Sequence, residues 1–152
     1  MVVMQLPSTN NELVIMGDIQ NVPPDVLFEY WTKPDLIKKW WPPEAEIEPR
    51  LGGSYHLSWP QRNWHLRGHY TSFDPGKKLA FTWHWDHDPE SIPVTEVVIV
   101  FESLPNDGTR MTLTHGSFSD SVEDQQMRAD HLEGWEHFIG KLQDLKFEEN
   151  RT

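Results

Sequence analysis

The sequence predicts an α+β domain in which a curved antiparallel sheet wraps one long C-terminal helix. Three observations carry that prediction. Apolar and aromatic residues alternate with polar ones through several segments between Glu12 and His115. The period changes to that of an amphipathic helix from Leu132 onward. Turn-forming Pro, Gly, Asn and Asp clusters separate the alternating segments at hairpin spacings. A length of 152 residues suits one domain over 1–152 with short flexible ends.

Glu12 to Gln20 carries Leu13, Val14, Ile15 and Ile19, and reads as the strand that opens the sheet. Pro23-Pro24 then introduces Asp25 to Trp31, where Val26, Leu27, Tyr30 and Trp31 fall at helical spacings. Thr32 and Pro34 end that helix, and Thr32 or Asp35 starts a second short one that runs through Trp40 to the stop at Pro42-Pro43. Beyond Gly52-Gly53, Tyr55, Leu57 and Trp59 point to one face of a strand; Leu66, Gly68 and Tyr70 continue that face in the next. Leu79, Phe81, Trp83 and Trp85 follow the Asp74-Pro75-Gly76 turn. Thr95 to Glu102, with Val97, Ile99 and Phe101, pairs across Asn106-Asp107-Gly108 with Met111, Leu113 and His115 as a hairpin. The closing stripe of Leu132, Trp135, Phe138, Ile139, Leu142 and Leu145 needs an apolar partner, and the inward sheet face is the one available.

Composition excludes several functions. Thirteen Lys and Arg against twenty-four Asp and Glu give a net charge of -11, and Arg50, Arg62 and Arg67 form no continuous basic patch, so no nucleic-acid partner is expected. The absence of Cys removes disulfides, thiolate ligands and thiol nucleophiles. The run Met1 to Met4 lacks the basic leader and the length of a signal peptide or membrane span, which makes a cytoplasmic location the expectation, with no membrane insertion. Asn150-Arg151-Thr152 fits a glycosylation sequon and is read as chance.

Several segments together resemble a known family: Val22 to Thr32, Trp40-Trp41-Pro42-Pro43, Pro49 to Tyr55, Leu79 to Trp83, Gly108 to His115 and His131 to Trp135. They are similar to the family related to the C-terminal domain of the Hsp90 ATPase activator, within the superfamily of Bet v 1, START and polyketide cyclase domains. The resemblance implies a helix-grip fold with a cavity between helix and sheet. Fold likeness of this kind does not fix an activity.

The alternation assembles a candidate ligand cavity from Tyr55, Leu57, Trp59, Tyr70, Phe81, Trp83, Met111, Leu113 and His115 on the sheet, facing Trp135, Phe138 and Ile139 on the helix. His131 shares a helix face with Trp135 at i,i+4 and rims the same cavity. The function read from this set is non-enzymatic binding of a small hydrophobic or planar aromatic molecule, in the manner of a sensor or stress-associated protein. An enzymatic alternative is a cyclase or hydrolase for a hydrophobic, polyketide-like substrate, with His115 or His131 as general base and Tyr55 or Tyr70 steadying an oxygen. A second is a partner-binding domain that contacts a chaperone or another copy of itself.

No catalytic residue, metal or cofactor is assigned. His84, Asp86, His87 and Asp88 are dense in ligating atoms, yet neighbouring strand residues face opposite ways and no metal-site spacing is reproduced. Ser54 and Ser58 stand outside any nucleophile elbow, and Gly52-Gly53 lacks the Lys and hydroxyl of a phosphate loop. Asp86, Asp88 and Glu90 read as a solvated loop in preference to a pair of glycosidic acids.

Overall fold

The computed structural model describes residues 3–7, 11–89 and 91–147. Its elements follow the order β1 (Val3–Gln5), β2 (Glu12–Ile19), α1 (Pro24–Thr32), α2 (Pro34–Ile37), β3 (Glu44–Ile47), β4 (Ser54–Trp59), β5 (Trp64–Asp74), β6 (Lys78–Trp85), β7 (Thr95–Ser103), β8 (Thr109–Gly116) and α3 (Val122–Gln143). One eight-stranded sheet runs in the order β1-β2-β8-β7-β6-β5-β4-β3, antiparallel throughout. Sheet and long helix thus match the predicted architecture, while β1 and β3 add two short edges that periodicity did not reveal. The sheet therefore opens with β1, not with Glu12–Ile19.

The predicted inward face is buried. Leu13, Ile15 and Ile19 of β2, Leu79 and Phe81 of β6, Val97, Ile99 and Phe101 of β7, and Met111 and Leu113 of β8 all lie in one core with Trp135, Ile139 and Leu142 of α3. Each such side chain contributes about 1.5–3 kcal/mol when fully buried. Helix and sheet come close where Gly17 faces Ile139: a β-carbon there would stand 3.2 Å from Ile139 Cγ2. Backbone carbonyls of β2 also fix the helix, since Arg128 Nε donates to Glu12 O at 3.0 Å and Gln143 Nε2 to Asp18 O at 3.1 Å.

Local sequence sets the helix ends. Ser121 caps α3 by accepting from the Asp124 amide at 3.1 Å, and the Asp124 carboxylate accepts from the Ser119 amide at 2.8 Å. At α1 the cap position is Pro23, with Pro24 in the first turn, where a missing N–H costs nothing. Thr32 does not start α2; its hydroxyl donates back to Phe28 O at 3.0 Å, and Lys33 takes the cap position ahead of Pro34. α2 stops at Ile37, so Trp40 and Trp41 sit on the connector that leads to β3. Trp40 is tied to α1 by its indole N–H, which donates to Tyr30 O at 2.9 Å.

Candidate aromatic pocket

Where β4 ends, β5 begins and β6 ends, the sheet and α3 diverge around a cavity of about 320 Å³. Trp59, Trp64, Trp83 and Trp85 come from the sheet, Asp130, His131, Gly134, Trp135 and Phe138 from α3, Trp41 from the connector, and His87 from the loop after β6. The strand register explains the clustering, because Trp59 pairs directly with Trp64 and Trp85 pairs with Leu66. The rings hold one another: Trp41 stacks on Trp83 at 5.8 Å between centroids, and Trp59 lies 5.5 Å from Trp85.

Two histidines stitch these rings together. Trp83 and Trp85 both donate their indole N–H to His131 Nε2, at 3.2 and 3.3 Å. An indole only donates, so His131 carries its proton on Nδ1 and gives it to Met127 O at 2.7 Å. Trp135 likewise donates to His115 Nδ1 at 3.2 Å, which leaves the His115 Nε2 proton for the Thr95 hydroxyl at 2.9 Å. Both imidazoles are neutral in this arrangement. Burial, with His131 beside it, holds the His115 pKa well below 6.5. Burial also lowers the pKa of His131, against opposing pulls from the Met127 carbonyl and the Asp88 and Asp130 carboxylates.

The sequence-derived cavity set divides. Trp59, Trp83, His131, Trp135 and Phe138 line the pocket. Tyr55, Leu57, Tyr70 and Phe81 lie around a crevice of only about 10 Å³, which Trp31, Ile37 and Trp41 also line. Met111, Leu113, His115 and Ile139 are core side chains outside the pocket lining. The reason is volume: Trp31 of α1 fills the space drawn as cavity, with its indole N–H on Met111 Sδ at 3.2 Å and its ring 6.5 Å from Phe81 and 6.0 Å from Trp135. Tyr55 donates its hydroxyl to Thr82 O, and burial raises the Tyr55 and Tyr70 pKa values, so both phenols keep their protons. Trp41, Trp64, Trp85, His87, Asp130 and Gly134 complete the lining without having been in the predicted set. For Trp85 the signal was present, since it continues the Leu79, Phe81 and Trp83 face.

Of the remaining candidates, His87 alone is in the pocket lining. Among the described residues no group of three or more His, Cys, Asp or Glu could hold a metal ion, and no helix is long and apolar enough to cross a membrane. Asp86 is engaged by Arg67, whose Nε lies 3.0 Å from both carboxylate oxygens. Ser54 donates its hydroxyl to Glu48 on the outer side, at 2.6 Å, and Ser58 is buried without a histidine partner among the described hydrogen bonds. Glu90 and Asn150-Arg151-Thr152 lie outside the described residues.

A curved antiparallel sheet folded about one long helix, with a pocket opening between them, defines a helix-grip domain. The chain belongs to the Activator of Hsp90 ATPase homolog 1-like protein family, whose model matches residues 21–146. No curated protein matches it. Among solved structures, a protein from Mesorhizobium loti is 25% identical, with a TM-score of 0.75 over 87% of this chain and 93% of the other. The Aha1 dimer from Colwellia psychrerythraea is 20% identical, with a TM-score of 0.75 over 88% and 93% of the two chains. An HSP90 activator from Plasmodium falciparum is 21% identical, with a TM-score of 0.67 over 87% and 93%.

Proposed function

We propose that this domain binds a small hydrophobic or planar aromatic molecule in the tryptophan-lined pocket and does not transform it. The observation that carries the reading is the pocket itself, whose volume of about 320 Å³ and six indole walls suit a compact apolar guest. The hydrogen bonding of the two histidines favours binding over turnover. A general base needs a free lone pair within reach of a substrate proton. The acceptor nitrogen of His131 already serves two indoles, and that of His115 serves a third. A cyclase or hydrolase would have to break those bonds before either imidazole could act.

Association with a chaperone or a second copy is the other reading, favoured by the family match and by likeness to an HSP90 activator and to a dimeric Aha1. Mass measurement across a concentration series, alone and with an Hsp90 present, tests it directly.

The pocket reading is tested with 1-naphthol, followed by ligand-observed NMR, against the wild type and the variants Trp64→Ala and Phe138→Ala. Trp64 is 39% exposed and Phe138 half-buried, so both truncations spare the core. Binding should weaken roughly tenfold in each variant while the far-ultraviolet spectrum stays unchanged, given the contact area an aromatic wall supplies. Equal binding by all three proteins would remove the pocket as the site.

A further inference from the structure

The same pocket carries a charge preference, an inference that rests on its being the ligand site. We infer that it selects a small organic cation, an arylammonium, over the neutral molecule of the same shape. Three observations point there. First, the walls are mostly aromatic: Trp41, Trp59, Trp64, Trp83, Trp85, Trp135 and Phe138 all line the space. The faces of such rings carry negative quadrupole density, and a cage of them attracts a cation that has shed its water.

Second, the protein already seats its own cations on two of the lining rings. The Arg62 guanidinium carbon lies 5.0 Å from the Trp64 centroid, and Lys141 Nζ lies 5.8 Å from that of Phe138. Both rings therefore act as cation platforms within this fold.

Third, the wall itself holds a carboxylate. Asp130 belongs to the lining, and the charged groups that act on His131 are the carboxylates of Asp88 and Asp130. Gln126 donates to one oxygen of Asp130 at 2.9 Å, which orients the carboxylate; its second oxygen has no partner among the described hydrogen bonds. His131 contributes no compensating charge, because its ring is engaged as donor to Met127 O and as acceptor from Trp83 and Trp85. The indole donors of Trp83, Trp85 and Trp135 are likewise taken by histidines. An anionic or acceptor-rich guest would find none of those three N–H groups available.

The test compares phenyltrimethylammonium with tert-butylbenzene, which has the same shape and no charge, by following the tryptophan indole N–H resonances in the NMR spectrum. The cation should bind about tenfold more tightly, the scale of a desolvated cation–π contact. In the double variant Asp88→Asn/Asp130→Asn, which retains the rings, that advantage should shrink about threefold, consistent with removal of two partly screened charges. Equal or tighter binding of tert-butylbenzene overturns the cation preference and leaves the pocket reading intact. An advantage undiminished in the double variant overturns the role given to the carboxylates. Resonances unmoved by either probe overturn both the preference and the pocket reading.

Discussion

Lowering the pH from 7.5 to 5.0 should destabilise this protein well before its carboxylates titrate, and His115 sets the size of the effect. Its side chain is fully buried, with Nδ1 accepting from Trp135 and Nε2 donating to Thr95. A second proton would go to Nδ1, where it would confront the Trp135 N–H. The folded pKa is accordingly held well below 6.5, first by burial and then by His131. The unfolded chain has no such constraint and takes up the proton near 6.5. Below that pH the unfolded state binds more protons, so stability rises with pH and is lost as pH falls. Each titrating histidine then contributes up to about 1.4 kcal/mol per pH unit, which sets a ceiling of roughly 2 kcal/mol at pH 5 for His115 alone. His131 acts in the same direction, since its pKa is also lowered. Urea unfolding followed by tryptophan fluorescence at several pH values measures the loss. His115→Gln retains an acceptor for Trp135 and a donor for Thr95 but cannot titrate, so it should recover up to about 2 kcal/mol of the pH-dependent loss. A wild-type stability that is flat from pH 7.5 to 5.0, or a slope that persists in full in His115→Gln, refutes the reasoning.

Glycines give further expectations. Gly134 and Gly140 both lie within α3, and a β-carbon added at either would have no neighbour within 4 Å, so each changed to Ala should stabilise the fold by about 0.5–1 kcal/mol in urea titrations. Only Gly134→Ala, on the pocket wall, should also weaken 1-naphthol binding, and equal affinity in the two variants would count against the pocket. Gly68→Ala should cost more than about 3 kcal/mol, because its β-carbon would overlap Thr82 O and approach Tyr55 Cε2 to 2.7 Å. A thermal midpoint within a few degrees of the wild type would show that β5 and β6 can separate there at little cost.

The parts of the fold that were legible are those whose burial repeats along the chain. Period-two alternation identified β4 to β8 because one face of each strand enters a common core, and the helical stripe identified α3 for the same reason. β1 and β3 escaped because they are short edges with no buried residue to mark a face. The pocket was only half legible. Alternation shows which side chains point inward, whereas the boundary between filled core and open space depends on what arrives from elsewhere in the chain. Trp31 comes from α1 and Trp41 from the connector ahead of β3, and their placement against Phe81, Trp83 and Trp135 is a tertiary fact with no local periodicity. His115 was expected at the cavity wall from its parity; parity placed it inward correctly, but its two hydrogen bonds fix it behind Trp135.

Trp41 is common to both hollows, forming a wall of the pocket on one side and of the small crevice on the other. It behaves as a bulkhead in a hull whose length is set by the sheet and the long helix. The plating need not change for the compartment to lengthen: a smaller side chain on this connector would join the two spaces into one deeper hold. If the pocket is the ligand site proposed above, the size of its guest would be set by a loop between helix and strand, an adjustment that leaves the strand register and the helix stripe untouched.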